Sequence, residues 1–150
     1  MDTVDRETRS RIMSRIRSKH TGPERRMARA LRRAGARGWR RHRRAEGAEL
    51  DFSWRAERVG LQTLGCFWHG CPRHYRRPKA NWRFWQRKVD GNRARDRRQA
   101  RLLRARGWIV LSVFECEAAT DAEALLVARA LARMVLPPRR RIPFASAAGA

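Results

Sequence analysis

The sequence predicts an α/β fold, a mixed central sheet flanked by helices, from three observations. A helix with an N-terminal capping signal precedes three short extended segments, and a long helical stretch follows them. An unbroken apolar run, WIVLSVF at residues 108–114, then comes before a final amphipathic helix. The order α-β-β-β-α-β-α supplies hairpin-connected strands and one crossover, the ingredients of a mixed sheet with helices on its faces.

Residues 1–20 form a polar, basic arm whose large apolar side chains after Val4 are Ile12, Met13 and Ile16, too few for it to fold alone. Thr21-Gly22-Pro23-Glu24 reads as a capping box with proline in the first turn. The helix it opens should run to about Ala34, ended by Gly35, with Met27, Ala28, Leu31 and Ala34 as its buried stripe. Extended segments are expected near 39–43, 49–54 and 58–64, where Leu50 and Phe52 alternate with Asp51, and Val59 and Leu61 alternate with Gly60 and Gln62. A helical stretch from about Asn81 to Arg106 carries Trp82, Trp85, Val89, Leu102 and Leu103, with Gly91 a weak point inside it. Residues 108–114 suit a central buried strand, and a helix over about 121–134 should turn Leu125, Leu126, Ala128 and Leu131 inward. Residues 21–136 thus form one domain, and a disordered tail is expected over 137–150.

Charge sets the partner class. Lys and Arg number 37 against 14 acidic residues, a net charge of +23, so a polyanion is implied and nucleic acid is the first candidate. Three cysteines cannot all pair, and two of them sit beside histidines, which fits a reduced compartment and a bound metal better than disulfides. No N-terminal apolar stretch resembles a signal peptide and no run approaches about 18 apolar residues. A cytoplasmic, nucleoid-associated monomer with no membrane partner is expected.

The segment Gly65-Cys66-Phe67-Trp68-His69-Gly70-Cys71-Pro72-Arg73-His74 concentrates metal ligands and exposed rings in ten residues. Thiolate and imidazole are the donors that close a tetrahedral Zn²⁺ site. The local set is Cys66, His69, Cys71 and His74. If residues 108–114 run parallel to the strand ending at Leu64, Cys116 arrives beside Cys66, and the favoured set becomes Cys66, Cys71, His74 and Cys116, leaving His69 free. Cys116 as a small buried residue at a strand end is the competing possibility.

In RSRIMSRIRSKHTGPE, GCFWHGCPRHYRRPKANWRFW, NRARDRR and GWIVLSVFEC, the sequence resembles the very short patch repair mismatch endonucleases over roughly residues 6–118. The resemblance implies a restriction-endonuclease-like fold with a structural zinc site and Mg²⁺-dependent nicking of duplex DNA 5′ to the thymine of a T:G mismatch, the product of 5-methylcytosine deamination. Mismatch-repair accessory proteins are further partners it suggests. It assigns Asp51 as the Mg²⁺-binding carboxylate, Thr63 as the residue whose carbonyl completes that site, and His69 as the catalytic histidine. It places Glu24 near the metal waters, although Glu24 also serves as a cap. Asp96 is assigned to orient His69, with a helix-surface ion pair as its alternative. Phe67, Trp68 and Trp85 match an aromatic wedge entering the base stack from the major groove, and Met13 an apolar residue of the arm entering from the minor groove. Trp85 as a core residue is the other reading. Opening a base step costs a few kcal/mol, less at a mismatch, so a wedge of this kind carries mismatch preference by itself.

The sequence departs from the family pattern at Leu64, where an aspartate or histidine is usual, and at Leu50, Gln62 and Ile12. Leucine can neither ligate nor move a proton. A slower enzyme is therefore expected, with a catalytically impaired binder of mismatched or distorted duplex as the competing function. An RNA-binding zinc protein would leave Asp51, Glu24 and His69 without a joint purpose.

Overall fold

The computed structural model of the chain describes residue 8 and residues 19–136. Met13, most of the basic arm and the 137–150 tail lie outside the described residues. Helix α1 (Gly22–Arg33) leads into strands β1 (Arg40–Ala45), β2 (Ala48–Trp54) and β3 (Val59–Leu64), then helix α2 (Trp82–Arg104), strand β4 (Ile109–Phe114), a 3-10 turn (Glu115–Ala118) and helix α3 (Asp121–Val135). The sheet order is β1-β2-β3-β4, antiparallel through the first three strands and parallel between β3 and β4. This is the restriction-endonuclease-like mixed sheet that the sequence predicts.

Two apolar layers hold it. On one face, Met27 and Leu31 of α1 and Ala124, Ala128 and Leu131 of α3 close over Phe52, Trp54, Val59 and Leu61. On the other, Leu103 of α2 meets Ala48, Leu50, Trp108 and Val110. Full burial of each large side chain contributes about 1.5–3 kcal/mol. Gly60 on β3 leaves room for the Leu50 side chain, because a Cβ there would stand 2.6 Å from Leu50 Cδ1.

Three expectations change. First, β4 lies at the sheet edge rather than its centre. Its apolar run serves both layers, with Trp108 and Val110 in one and Leu111 and Val113 packed against the other, while Ile109, at its start, is 49% exposed. Second, Leu126 is 65% exposed and α3 turns Ala124, Ala128, Leu131, Ala132 and Val135 inward. This helix is apolar over much of its girth, and the face chosen is the alanine-rich one that lets α1 approach closely.

Third, Leu50 and Phe52 do not share a face. They belong to opposite apolar layers, although two residues apart on a regular strand should point the same way. The cause lies between them. The β1–β2 ladder pairs Arg41 with Phe52 and Arg43 with Leu50 but skips His42 and Asp51, and His42 has a left-handed backbone with φ 49°. The strand turns over at this break, and Asp51 reaches across to β3 instead of projecting from a face opposite its neighbours.

Candidate active site

The site is built where β2 and β3 part. They pair at Phe52–Leu61, Ser53–Gly60 and Trp54–Val59, and beyond that β3 stays with β4 while β2 stays with β1. Side chains bridge the gap. Asp51 Oδ2 accepts from the Thr63 backbone N–H at 2.6 Å and from its hydroxyl at 2.8 Å, while Gln62 Nε2 donates to the Glu49 carbonyl at 3.4 Å. Burial pushes the Asp51 carboxyl above its ordinary range, against the lowering effect of the Thr63 bonds, and the Glu24 carboxylate raises it further. A carboxylate in that condition is stabilised by a cation.

Around it lies a cleft of about 1080 Å³ whose lining includes Glu24, His42, Glu49, Thr63, Leu64, His69, Trp85 and Asp96. Glu24 is only 3% exposed. It does cap α1, accepting from the Thr21 hydroxyl at 3.0 Å and the His20 N–H at 2.9 Å, and it also binds Arg41 at 3.2 Å. Capping and a place in the cleft therefore coexist. Leu64 faces this polar lining half-buried, an apolar side chain among carboxylates.

His69 Nδ1 meets Asp96 Oδ2 at 2.5 Å. The aspartate on α2 fixes the ring and makes Nδ1 the donor, which leaves Nε2 as the basic nitrogen. Of the two roles considered for Asp96, contact with His69 is the shorter, since Arg95 stands 3.7 Å from its other oxygen. The loop that carries His69 is fastened to α2. Asn92 Nδ2 donates to the Trp68 carbonyl at 2.8 Å, Arg93 Nε donates to the His69 carbonyl at 3.2 Å, and the Arg93 guanidinium also binds the Gly70 carbonyl. Gly70 has φ 61°, and a Cβ there would strike that guanidinium at 2.6 Å. Only glycine fits.

Behind the loop, Cys66, Cys71, His74 and Cys116 bring one donor atom each to within 4.8 Å of the others. Cys71 Sγ is 3.7 Å from Cys116 Sγ and 4.0 Å from His74 Nδ1. The parallel register that ends at Leu64–Phe114 delivers Cys116 here, and Glu115 Oε1 accepts from the Cys66 N–H at 2.8 Å. This Cys₃His group can hold a metal ion. Burial pushes the Cys66 thiol up to about 12. At Cys71 burial is outweighed by the Arg73 and His74 N–H groups, and its thiol falls to about 6. The cluster thus begins with one thiolate and needs a cation to form the rest.

At the rim, Phe67, Trp68 and Trp85 gather edge to face, with centroids 5.2 Å apart for Phe67–Trp68 and 5.1 Å for Phe67–Trp85. Trp85 belongs to neither apolar layer of the sheet. Phe84, 53% exposed and 5.2 Å from Trp85, extends the rim; its signal was the WRFW string itself.

Sequence reasoning missed His42. Its Nε2 lies 3.1 Å from Glu24 Oε2, and its Nδ1 lies 4.0 Å from both Glu49 Oε1 and Asp51 Oδ1. Lys19, 2.6 Å from Glu49, was also unmarked. His42 sits inside the arginine run RRHRRA, and only its being one of four histidines in the chain could have drawn notice.

A mixed sheet that opens around a half-buried, bridged aspartate defines the class, a nuclease of the restriction-endonuclease type. The family follows from kinship. Residues 1–75 match the family model described as DNA mismatch endonuclease Vsr. The type II nicking enzyme V.XorIIP of Xanthomonas oryzae pv. oryzae is 38% identical over 118 residues, covering 77% of this chain and 85% of that protein. V.NaeI of Lentzea aerocolonigenes is 38% identical over 124 residues, covering 79% of this chain and 74% of that protein. The DNA mismatch endonuclease Vsr of Escherichia coli K12 is 34% identical over 116 residues, covering 77% and 74%. The chain belongs to the Vsr family of DNA endonucleases. Among the described residues no helix is long and apolar enough to cross a membrane.

Proposed function

We propose that this protein nicks duplex DNA 5′ to the thymine of a T:G mismatch, using Mg²⁺ in the cleft and Zn²⁺ in the Cys₃His cluster. The observation that carries the reading is Asp51 itself, a half-buried carboxylate bridged to Thr63 in the gap between β2 and β3, with the His69–Asp96 pair lining the same cleft. Asp51 and the Thr63 carbonyl would hold the Mg²⁺, since oxygen donors suit that hard cation, and three thiols with one imidazole suit Zn²⁺. Bound there, Mg²⁺ polarises the scissile phosphate and eases ionisation of water. His69 Nε2 moves a proton, Asp96 holds its Nδ1–H, and the Phe67, Trp68 and Trp85 rings enter the stack at the weakened pair. The decisive assay compares T:G and T:A duplexes with and without Mg²⁺. Nicking confined to T:G and dependent on the ion supports the reading, and equal nicking of both removes the mismatch from it.

His69→Ala should lower the nicking rate by roughly 10²–10⁴, the usual worth of a placed acid–base group. Asp96→Asn should lose less, with kcat changed and KM held, because the ring keeps its neighbour but loses the charge that supports it. Single-turnover rates on the T:G duplex check both.

Leu64 favours a second reading, a binder that cleaves poorly, because it puts an apolar side chain against the carboxylates. Leu64→His should raise the nicking rate by at least about tenfold if that position limits proton transfer. An unchanged rate with unchanged duplex affinity would show that the position is idle.

A further inference from the structure

We propose that His20, Glu24 and His42 form a second transition-metal site, separate from the Cys₃His cluster, which ties the start of α1 to β1 at the edge of the cleft. One donor atom from each residue lies within 4.8 Å of the others. His42 Nε2 and Glu24 Oε2 are 3.1 Å apart, close to the roughly 3.3 Å edge spanned by two donors that each sit about 2.0–2.1 Å from a tetrahedral ion. The two imidazoles pack edge to face with centroids 4.8 Å apart.

The independent mark of a ligand is the state of His42. Its side chain is 10% exposed, and Nε2 is buried with no hydrogen-bond partner, since the approach to Glu24 lacks hydrogen-bond alignment. A buried ring nitrogen in that condition is costly unless something binds it. Its other nitrogen faces the Glu49 and Asp51 carboxylates, 4.0 Å from each. A metal-bound histidine commonly turns its second N–H toward a carboxylate in this manner, which fixes the tautomer. Both histidines also have left-handed backbones, φ 56° at His20 and 49° at His42.

Two imidazoles and one carboxylate suit Zn²⁺, Co²⁺ or Ni²⁺ rather than Mg²⁺. Glu24 is already engaged by the His20 N–H, the Thr21 hydroxyl and Arg41, the last at 3.2 Å on the oxygen that faces His42. The guanidinium competes with a cation there, so this site is weaker than the thiolate cluster. An ion bound here would fasten the root of the N-terminal arm and orient the His42 Nδ1–H toward Asp51.

The test uses the full chain carrying Asp51→Ala, so that the cleft carboxylate takes no ion, with its resident metal left in place. Equilibrium dialysis against Co²⁺ with elemental analysis of every metal should find one extra ion per chain. Adding His20→Ala or His42→Gln should abolish it and leave the resident metal untouched. No extra ion in the Asp51→Ala chain overturns the proposal, as does an extra ion that persists in either histidine variant, which would be an adventitious ion only. If His42→Gln fails to fold, His20→Ala decides alone, because that side chain is exposed.

Discussion

Asp51→Asn should abolish nicking, by at least about a thousandfold, while leaving the fold at least as stable as before. A cation-polarised phosphate is worth several kcal/mol at the transition state, and each 1.36 kcal/mol is a decade in rate. The amide keeps an oxygen for the Thr63 N–H and hydroxyl, so the bridge between β2 and β3 survives. The stability sign follows from the raised carboxyl pKa. Burial, with Glu24 nearby, disfavours the ionised form in the fold, so the folded state holds its proton at pH values where the unfolded chain has released it. That contribution is present below the unfolded pKa and is lost as pH rises through the folded one. At neutral pH and without a cation, ionised Asp51 therefore costs stability that asparagine does not. Thermal unfolding in chelator should show the variant equal to the wild type or higher. A cation competes with that proton, so the wild-type rate at low Mg²⁺ should fall on acidification earlier than an ordinary aspartate would dictate, and more Mg²⁺ should move the fall to lower pH. Asp51→Asn nicking at wild-type rate would remove Asp51 from the chemistry.

How much of this was legible in the chain depended on how local each cause was. The α1 cap was readable because Thr21 and Glu24 are three residues apart and their contact is intrahelical. The α-β-β-β-α-β-α order was readable from periodicity, and the assumption of a parallel pair between β3 and β4, which the register bears out, was enough to place Cys116 beside Cys66. What failed was tertiary. Leu50 and Phe52 promised one face, but the skipped His42–Asp51 pair turns the strand over between them. No pattern in LDF announces a ladder break set by the residue opposite. Leu126 and Ala128 are both good helix residues, and only the approach of α1 selects the alanine side. His42 drew no attention among arginines because its partners, Glu24 and Asp51, are supplied by two other elements.

Loss of the Cys₃His ion should have the largest effect on structure. Apparent binding free energies of structural zinc run to about 10–16 kcal/mol, as large as the whole stability of about 5–15 kcal/mol typical of a domain. The loop between β3 and α2 contains little regular structure, and the cluster ties it to the turn after β4. With zinc in the cluster as proposed, Cys116→Ser should therefore lose the ion and free residues 66–75. His69 would then leave Asp96, and Phe67 and Trp68 would leave Trp85, so nicking and mismatch preference should fall together. His69→Ala should lose activity but keep the zinc, because Nδ1 of that ring faces Asp96 and not the thiols. Elemental analysis and proteolysis of the loop separate the two variants. Loading has a pH sign as well, since Cys66 and Cys116, both raised by burial, must release protons to the solvent before they bind the ion. Acid should expel zinc, and refolding with zinc should be more complete at pH 8 than at about pH 6, where Cys71 itself takes up a proton. Zinc retained by Cys116→Ser but lost by His69→Ala would reverse the assignment and place the histidine among the ligands.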